Sequence, residues 1–210
     1  MIRDEWLPGI ASTVRPSTWA SYSTIVRTRI VPRIGGVPLQ VLGPAHLNAL
    51  YAELLASGGR DGKPLSARSV RLTHATIRKA LADGVRWQRL ACNPADRADP
   101  PSAKTERESR RAAMRTWSAQ ELAAFLVHVE CDRLAALWRV AATTGMRRGE
   151  LAGLRWQDVD LEAGRLAVSR GLVSVGYAVV ESGTKSGKTG SHSRTGRYVG
   201  QPPSRYARAF

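Results

Sequence analysis

Two adjacent arginines and a glutamate occupy the middle of the stretch TTGMRRGELAGLRW, residues 143–156. Gly145 is predicted to end one helix, and Arg147 then begins the next. At a helix N-terminus a guanidinium can bind a phosphate together with backbone N–H groups. Glu150 shares a helical face with Arg147 and can orient it. Arg148 is turned by about 100° and is assigned to the surface or to a phosphate backbone. On its own, the pattern R-x-x-E is typical of an exposed ion pair. A phosphate-binding role for Arg147 therefore has to be supported by other features of the chain.

The charge of the chain favours a polyanionic partner. There are 32 Lys and Arg against 17 Asp and Glu in 210 residues, which gives a net charge of +15, and 43 % of the residues are hydrophobic, as in a globular protein. Cationic side chains release counterions when they neutralise phosphates, so nucleic acid is the first candidate. Ribosomal and membrane-surface proteins can be equally basic, and charge alone leaves them open.

The first hundred residues have the pattern of helices joined by Pro and Gly turns. We predict one helix that begins at Pro16 and ends at Pro32, a second over the stretch GPAHLNALYAELLAS, and a long third helix capped by Ser66 and closed by Asn93-Pro94. The expected inner faces are Trp19, Tyr22, Ile25, Val26 and Ile30; Leu47, Leu50, Tyr51, Leu54 and Leu55; and Val70, His74, Ile77, Ala80, Leu81 and Val85.

A segment rich in Pro, Ala and charge then separates two predicted domains. We expect a helical domain over 1–98, a basic linker over 99–116, a partial second domain over 117–188 and a divergent, disordered tail over 189–210. Ser118 and Glu121 form a predicted capping box, and Leu151, Leu154 and Trp156 are expected to anchor the motif helix. The run RLAVSRGLVSVGYAVVE predicts a β-hairpin that turns at 176–177. After Ser182 no helical or strand period is visible.

The sequence predicts no metal site and no cofactor. Cys92 and Cys131 lie far apart and are expected to be small buried residues of a reduced compartment. His128 and Cys131 lack two further ligands for zinc. No signal peptide and no membrane-length apolar run are found, so a cytoplasmic location is expected.

The stretch TTGMRRGELAGLRWQDVDLEAGRLAV resembles the first catalytic box of the tyrosine recombinases, the phage integrase family. The preceding segments RPSTWASYSTIVRTRIVPRIGGVPLQVLGPAHLNALYAELL and SARSVRLTHATIRKALADGVRWQRLACNPAD are similar to the helical core-binding domain of that family. The resemblance covers roughly residues 4–188. It implies a mainly α fold: a SAM-like core-binding domain, then the N-terminal part of an α+β catalytic domain with a β-hairpin.

The resemblance implies roles for three residues. Arg147 matches the first catalytic arginine, which binds the scissile phosphate, and Glu150 matches the acidic residue that supports this site. The family also uses a hairpin lysine as general acid; Lys185 fits the K-[ST] signature better, and Lys188 is the alternative. Metal-free phosphoryl transfer takes its positive charge from such side chains.

The later boxes of the family, H-x-x-R and the nucleophilic tyrosine, are not found in these residues. His192 begins H-S-R with one spacer residue too few, and Tyr198 and Tyr206 lie in a Gly- and Arg-rich tail. We interpret these three as mimics and residues from about 189 as out-of-frame or divergent. The expectation is a truncated integrase that does not cleave.

Three functions are compatible with these patterns. The first is an integrase polypeptide that binds double-stranded DNA at attachment-site core sequences, with a homo-oligomer on DNA as an open possibility and no membrane partner. The second is a stand-alone DNA-binding protein that competes with a full-length integrase. The third, a generic RNA- or ribosome-associated protein, does not explain the motif. The candidate DNA contacts besides Arg148 are Arg27, Arg29, Arg33, Arg68, Arg71, Arg78 and Lys79 in the helices, and Arg107, Arg110 and Arg111 in the linker.

Overall fold

The computed structural model of the chain describes residues 1–102, 116–176, 178–183 and 190–192. The chain divides into two compact units, an N-terminal unit (Met1–Arg115) and a C-terminal unit (Thr116–Phe210). Each is described by itself.

The N-terminal unit begins with an element that the sequence patterns did not predict. A π-helical turn, Ile2–Trp6, runs into a short helix α1, Leu7–Gly9. Trp6 is fully buried, and its indole N–H donates to Oδ2 of the buried Asp83 at 2.8 Å. A tryptophan carries a large apolar surface and one donor, and here both are satisfied.

The second helical segment runs further than predicted. Helix α2, Pro16–Ile25, continues as a π-helical stretch, Val26–Ile30, and then as α3, Val31–Ile34. The expected end at Pro32 is therefore wrong. Pro32 lies inside this continuous segment and has no N–H to donate, but Arg33 Nη1 donates to the Thr28 and Arg29 carbonyls of the preceding turn at 3.3 and 3.4 Å. The helix continues beyond Pro32, and Gly35 N–H bonds to the Val31 carbonyl at 3.0 Å.

Two longer helices complete the unit: α4, Pro44–Ser57, and α5, Ala67–Arg86. Three 3₁₀ turns accompany them, Leu39–Val41, Arg60–Gly62 and Pro94–Arg97. The predicted cap of α5 is confirmed, because Ser66 Oγ accepts a hydrogen bond from Ser69 N–H at 3.3 Å.

One hydrophobic core holds the N-terminal unit together, and most of the predicted inner-face residues belong to it. Leu55 is an exception: it is 38 % exposed because it lies about 100° around the helix from the buried Leu54. The buried hydrophobic members are Trp6, Leu7, Ile10, Ile25, Val26, Ile30, Leu47, Leu50, Tyr51, Leu54, Val70, Ile77, Ala80, Leu81 and Ala95.

The C-terminal unit starts with three helices: α6, Ala119–His128; α7, Ala135–Thr144; and α8, Arg148–Ala152. The predicted capping box is confirmed, since Ser118 Oγ accepts from Glu121 N–H at 3.2 Å and Glu121 Oε2 accepts from Ser118 N–H at 2.7 Å. Gly145 ends α7 in the left-handed conformation, with φ 66°, as expected of a helix stop.

The strands follow α8 and form two separate sheets in the described residues. A 3₁₀ turn, Trp156–Asp158, leads into β1, Val159–Asp160, and then β2, Arg165–Val168. The hairpin consists of β3, Arg170–Val175, and β4, Ala178–Gly183, which pair antiparallel with Val175 opposite Ala178.

The predicted hairpin is thus confirmed only in its second part, because β2 leaves it at Ser169 and pairs with β1 instead. The strand β5, Gly190–His192, pairs with the other edge of β2. The expectation of no strand after Ser182 is therefore wrong at 190–192. The rest of the expected tail lies outside the described residues.

Three further expectations about burial are wrong. Cys92 and Cys131 are both exposed, so neither is a core residue. Trp156 is 73 % exposed and does not anchor α8. It is the first residue of a 3₁₀ turn that leads away from the helix, so its side chain no longer follows the helical face.

Candidate functional site

Arg147 lies immediately before α8, and Glu150 fixes it there. The Arg147 backbone N–H donates to Glu150 Oε2 at 2.9 Å, and Arg147 Nη1 donates to Oε1 at 2.8 Å. The Arg147 side chain is 74 % exposed, whereas that of Glu150 is 17 % exposed. The carboxylate therefore supports the arginine from the protein side and leaves most of the guanidinium available to an anion.

Helix α8 lies directly on strand β3. A Cβ atom added at Gly149 would be 2.7 Å from the Leu172 carbonyl oxygen, and one at Gly153 would be 3.1 Å from Gly171 Cα. Only residues without a side chain allow the two backbones to approach this closely. Both glycines fall in the motif TTGMRRGELAGLRW, and their spacing places Arg147 at a fixed position above the hairpin.

The hairpin also leads to the two candidate lysines. Strand β4 ends at Gly183, which is paired with Arg170 at the start of β3. Lys185 follows Gly183 by two positions in the sequence. Lys185 and Lys188 themselves lie outside the described residues, as do the linker residues Arg107, Arg110 and Arg111.

An ion-pair network that the sequence patterns did not predict connects the turn after α8 to the hairpin. Arg170 Nη2 lies 2.9 Å from Asp158 Oδ2, and Arg170 Nη1 lies 3.6 Å from Glu181 Oε1. Arg155 Nη2 bonds to Glu181 Oε2 at 3.1 Å, and Ser169 Oγ donates to Asp158 Oδ1 at 2.9 Å. The visible signal was Asp158 in the L-x-W-x-D-V-D stretch, together with an arginine in an otherwise apolar hairpin.

This network changes the titration of both partners. The hydrogen bond from Arg170 is the largest cause that lowers the pKa of Asp158, with those from Ser169 and the Arg155 backbone adding to it against desolvation. The same bond raises the pKa of Arg170. Asp158 is therefore ionised in the folded protein at pH values where it would be protonated in an unfolded chain.

The C-terminal unit should lose stability in acid because of Asp158. A carboxyl whose pKa is lowered on folding contributes stability above its unfolded pKa of about 3.9, and that contribution is lost as the pH falls through the folded pKa. Urea unfolding between neutral pH and strong acid should show this loss. The Asp158→Asn variant should be less stable than the parent at neutral pH and should show a smaller acid loss. Equal acid losses in the two proteins would contradict this assignment. The Asn variant also separates Asp158 from Glu121, whose pKa is lowered by its bond to Ser118.

The candidate cations of the N-terminal unit fall into two groups. Arg27 and Arg68 are exposed and have no hydrogen-bond or ion-pair partner within the described residues. The others have protein partners: Arg29 with the Ser69 carbonyl and Thr73, Arg33 with Glu53, Arg71 with the Ser102 carbonyl, Arg78 with Asp96, and Lys79 with Asp83.

The residues of the second group differ in how accessible their charged groups are, because they differ in burial and in their protein partners. Burial lowers the pKa of Arg29, which points into the protein against α5. The Arg33 side chain is 18 % exposed, whereas that of Arg78 is 60 % exposed. Among the candidate arginines, Arg27, Arg68 and Arg78 therefore offer the most accessible guanidinium groups.

The described residues contain no cluster of three or more His, Cys, Asp or Glu side chains that could hold a metal ion. In the same part of the chain, no helix is both long and apolar enough to cross a membrane.

Comparison with protein families assigns both units. The phage integrase N-terminal SAM-like domain matches residues 2–55, and the phage integrase family matches residues 115–194. The chain belongs to the phage integrase family. The second match contains Arg147, Glu150 and Lys185 and continues through β5. The family and the mainly α fold class implied by the sequence motifs are thereby confirmed.

Individual relatives of this integrase-family chain agree with the assignment. It is 26 % identical over 176 residues to a tyrosine recombinase XerC-like protein of Caldanaerobacter subterraneus subsp. tengcongensis, covering 83 % of this chain and 43 % of that protein. Over 36 residues it is 56 % identical to the prophage integrase IntR of Escherichia coli K12, covering 17 % of this chain and 9 % of that protein. The chain thus spans less than half the length of these curated relatives.

Solved structures share the fold of the integrase-family chain. A lambda integrase fragment, crystallised as a dimer bound to a COC′ core site, aligns with a TM-score of 0.62 at 17 % identity, over 86 % of this chain and 60 % of that one. The Tn1549 transposon integrase in complex with circular intermediate DNA aligns with a TM-score of 0.63 at 17 % identity, over 85 % and 57 %.

Proposed function

We propose that this chain binds double-stranded DNA at integrase core-type sites and that Arg147 contacts the phosphate at which such a site would be cut. The observation that carries the proposal is the Arg147–Glu150 pair, in which an exposed guanidinium is held by a largely buried carboxylate. Support comes from the net charge of +15 and from structural relatives whose own structures contain DNA.

Arg147 is assigned to stabilising the charge that develops on the phosphate during phosphoryl transfer. Charge develops on the non-bridging oxygens of the phosphate in the transition state, and a preorganised cation stabilises it without reorientation. Glu150 supplies that preorganisation through its two bonds to Arg147. We assign Lys185, with Lys188 as the alternative, to protonation of the leaving 5′-hydroxyl, as in the family.

In the N-terminal unit, the accessible guanidinium groups of Arg27, Arg68 and Arg78 are the proposed phosphate contacts. Arg148 is exposed next to Arg147 and is assigned to a neighbouring phosphate. Arg29 and Arg33 fit this role less well, because each already bonds to protein groups and is partly buried.

We further propose that these 210 residues bind DNA without cutting it. None of the four histidines is followed by arginine at the H-x-x-R spacing, so one cationic part of the family's site is not supplied by this sequence. Binding without cleavage is also what competition with a full-length integrase would require. A covalent protein–DNA adduct on nicked duplex would contradict this second proposal.

DNA retention measured against salt concentration tests the first proposal. Affinity for a duplex that carries an inverted-repeat core site should fall steeply as salt rises, because bound cations release counterions. The Arg147→Ala variant should bind more weakly by about threefold or more and should lower the salt slope by about one. Arg3→Ala removes the same charge from an arginine paired with Asp4 and serves as the matched control. Equal losses in the two variants would refute a specific phosphate contact at Arg147.

A further inference from the structure

Arg170 lies where three elements of the C-terminal unit meet. It is the first residue of β3, its guanidinium bonds to Asp158 in the turn after α8, and it reaches Glu181 on the paired strand β4. The Arg170 side chain is only 12 % exposed and that of Asp158 only 9 %. This arginine is thus directed at protein groups rather than at an external ligand.

The aliphatic part of the Arg170 side chain also lies against the C-terminal end of α8. A Cβ atom added at Gly153, the residue that follows α8, would be 3.3 Å from Arg170 Cγ and 3.3 Å from the Arg170 carbonyl oxygen. The opposite end of the same short helix carries Arg147. Hydrogen bonds connect the two ends, since Gly153 N–H bonds to the Glu150 carbonyl at 3.2 Å and Glu150 Oε1 accepts from Arg147 Nη1 at 2.8 Å. A displacement of Gly153 is therefore expected to move Arg147 as well.

The charges explain why an arginine fits this position. Asp158 and Glu181 carry carboxylates on different elements, and the planar guanidinium of Arg170 forms an ion pair with each of them. Lysine has a single ammonium, and an apolar residue would leave the largely buried Asp158 carboxylate without its main partner. Arg170 Nε is buried and makes no hydrogen bond within the described residues, so the interaction depends on the two terminal nitrogens.

We propose that Arg170 is a positioning residue for Arg147: by joining Asp158, Glu181 and the end of α8, it sets where the phosphate-binding guanidinium is held. This inference rests on the proposed function, since it needs Arg147 to contact DNA. Arg170 itself does not contact the phosphate.

A double-mutant cycle on DNA affinity tests the inference. Binding of a fluorescent duplex that carries the inverted-repeat core site is measured for the parent, Arg147→Ala, Arg170→Met and the double variant, at low salt and well below the unfolding temperature. In the Arg170→Met background, Arg147→Ala should weaken binding by a factor at least about threefold smaller than in the parent. The matched control is Arg68→Ala in the N-terminal unit, which should cost the same factor in both backgrounds. A purely structural role would not move the Arg147 factor selectively.

The outcomes are distinguishable. If Arg147→Ala costs the same factor with and without Arg170, the positioning role is overturned while the proposed function stands. If the parent chain does not bind the duplex, or Arg147→Ala costs nothing in it, the proposed function fails and the inference fails with it. Should Arg170→Met not fold, Arg170→Lys keeps the charge and most of the stem. The cycle with lysine should still show a reduced Arg147 factor, and an unchanged factor would overturn the inference.

Discussion

Replacement of Trp6 by alanine should destabilise the N-terminal unit by about 3–5 kcal/mol, the range for truncating a buried aromatic side chain. Trp6 is 0 % exposed and lies against Tyr22, with 5.4 Å between ring centroids. The variant also removes the indole donor of Asp83, a carboxylate that is only 7 % exposed. The loss of that hydrogen bond lowers the free energy of unfolding further, in addition to the cost of the cavity that the missing ring leaves.

Urea unfolding followed by far-ultraviolet circular dichroism measures this effect, because that signal does not depend on the tryptophan that is removed. The matched control is Trp156→Ala, which deletes a side chain that is 73 % exposed and should change the free energy of unfolding by about 0.5 kcal/mol or less. If both variants lost the same small amount, the segment Ile2–Trp6 would not be part of the folded core. DNA affinity should fall with Trp6→Ala where the N-terminal unit unfolds, because that unit carries Arg27 and Arg68.

The long helices could be predicted because their signals are local, although α5 ends at Arg86 and not at the predicted Asn93-Pro94, which begins a separate 3₁₀ turn. Apolar residues recur at helical spacing along α4 and α5, and Ser66 caps α5 as its position suggests. The segment around Trp6 gave no such signal. It is short, it is interrupted by Pro8, and its hydrogen-bond partner Asp83 is 77 positions away in the sequence. Only tertiary packing makes it an ordered part of the core.

The candidate site also combines local contacts, which could be predicted from the sequence, with long-range contacts, which could not. Arg147 and Glu150 are three positions apart, and their contact follows from the geometry of one helical turn. The contacts of Arg170 cross from β3 to the turn at Asp158 and to β4, so they depend on how the hairpin is placed. Trp156 shows the converse: the motif suggested an anchor, but the 3₁₀ turn directs the side chain into solvent.

Gly149→Ala should destabilise the C-terminal unit by about 1–3 kcal/mol, the usual cost of forcing an extra group into a packed contact. Two effects oppose each other here. Alanine is the better helix former and would stabilise α8 by roughly 0.5–1 kcal/mol if the helix stood alone. The added methyl group, however, would lie 2.7 Å from the Leu172 carbonyl oxygen, and a backbone atom of a paired strand cannot rotate away. The steric effect should therefore win.

The matched control is Gly183→Ala, at the end of β4, where an added Cβ meets no atom within 4 Å among the described residues. That change should leave the free energy of unfolding within about 0.5 kcal/mol of the parent. Because α8 must lift from β3 to admit a side chain at Gly149, DNA affinity should fall in Gly149→Ala even where the unit stays folded, and the further loss on adding Arg147→Ala should shrink. An increase in stability, as helix propensity alone would give, would mean that α8 does not rest on β3 in solution. The position of Arg147 would then depend only on its bonds to Glu150.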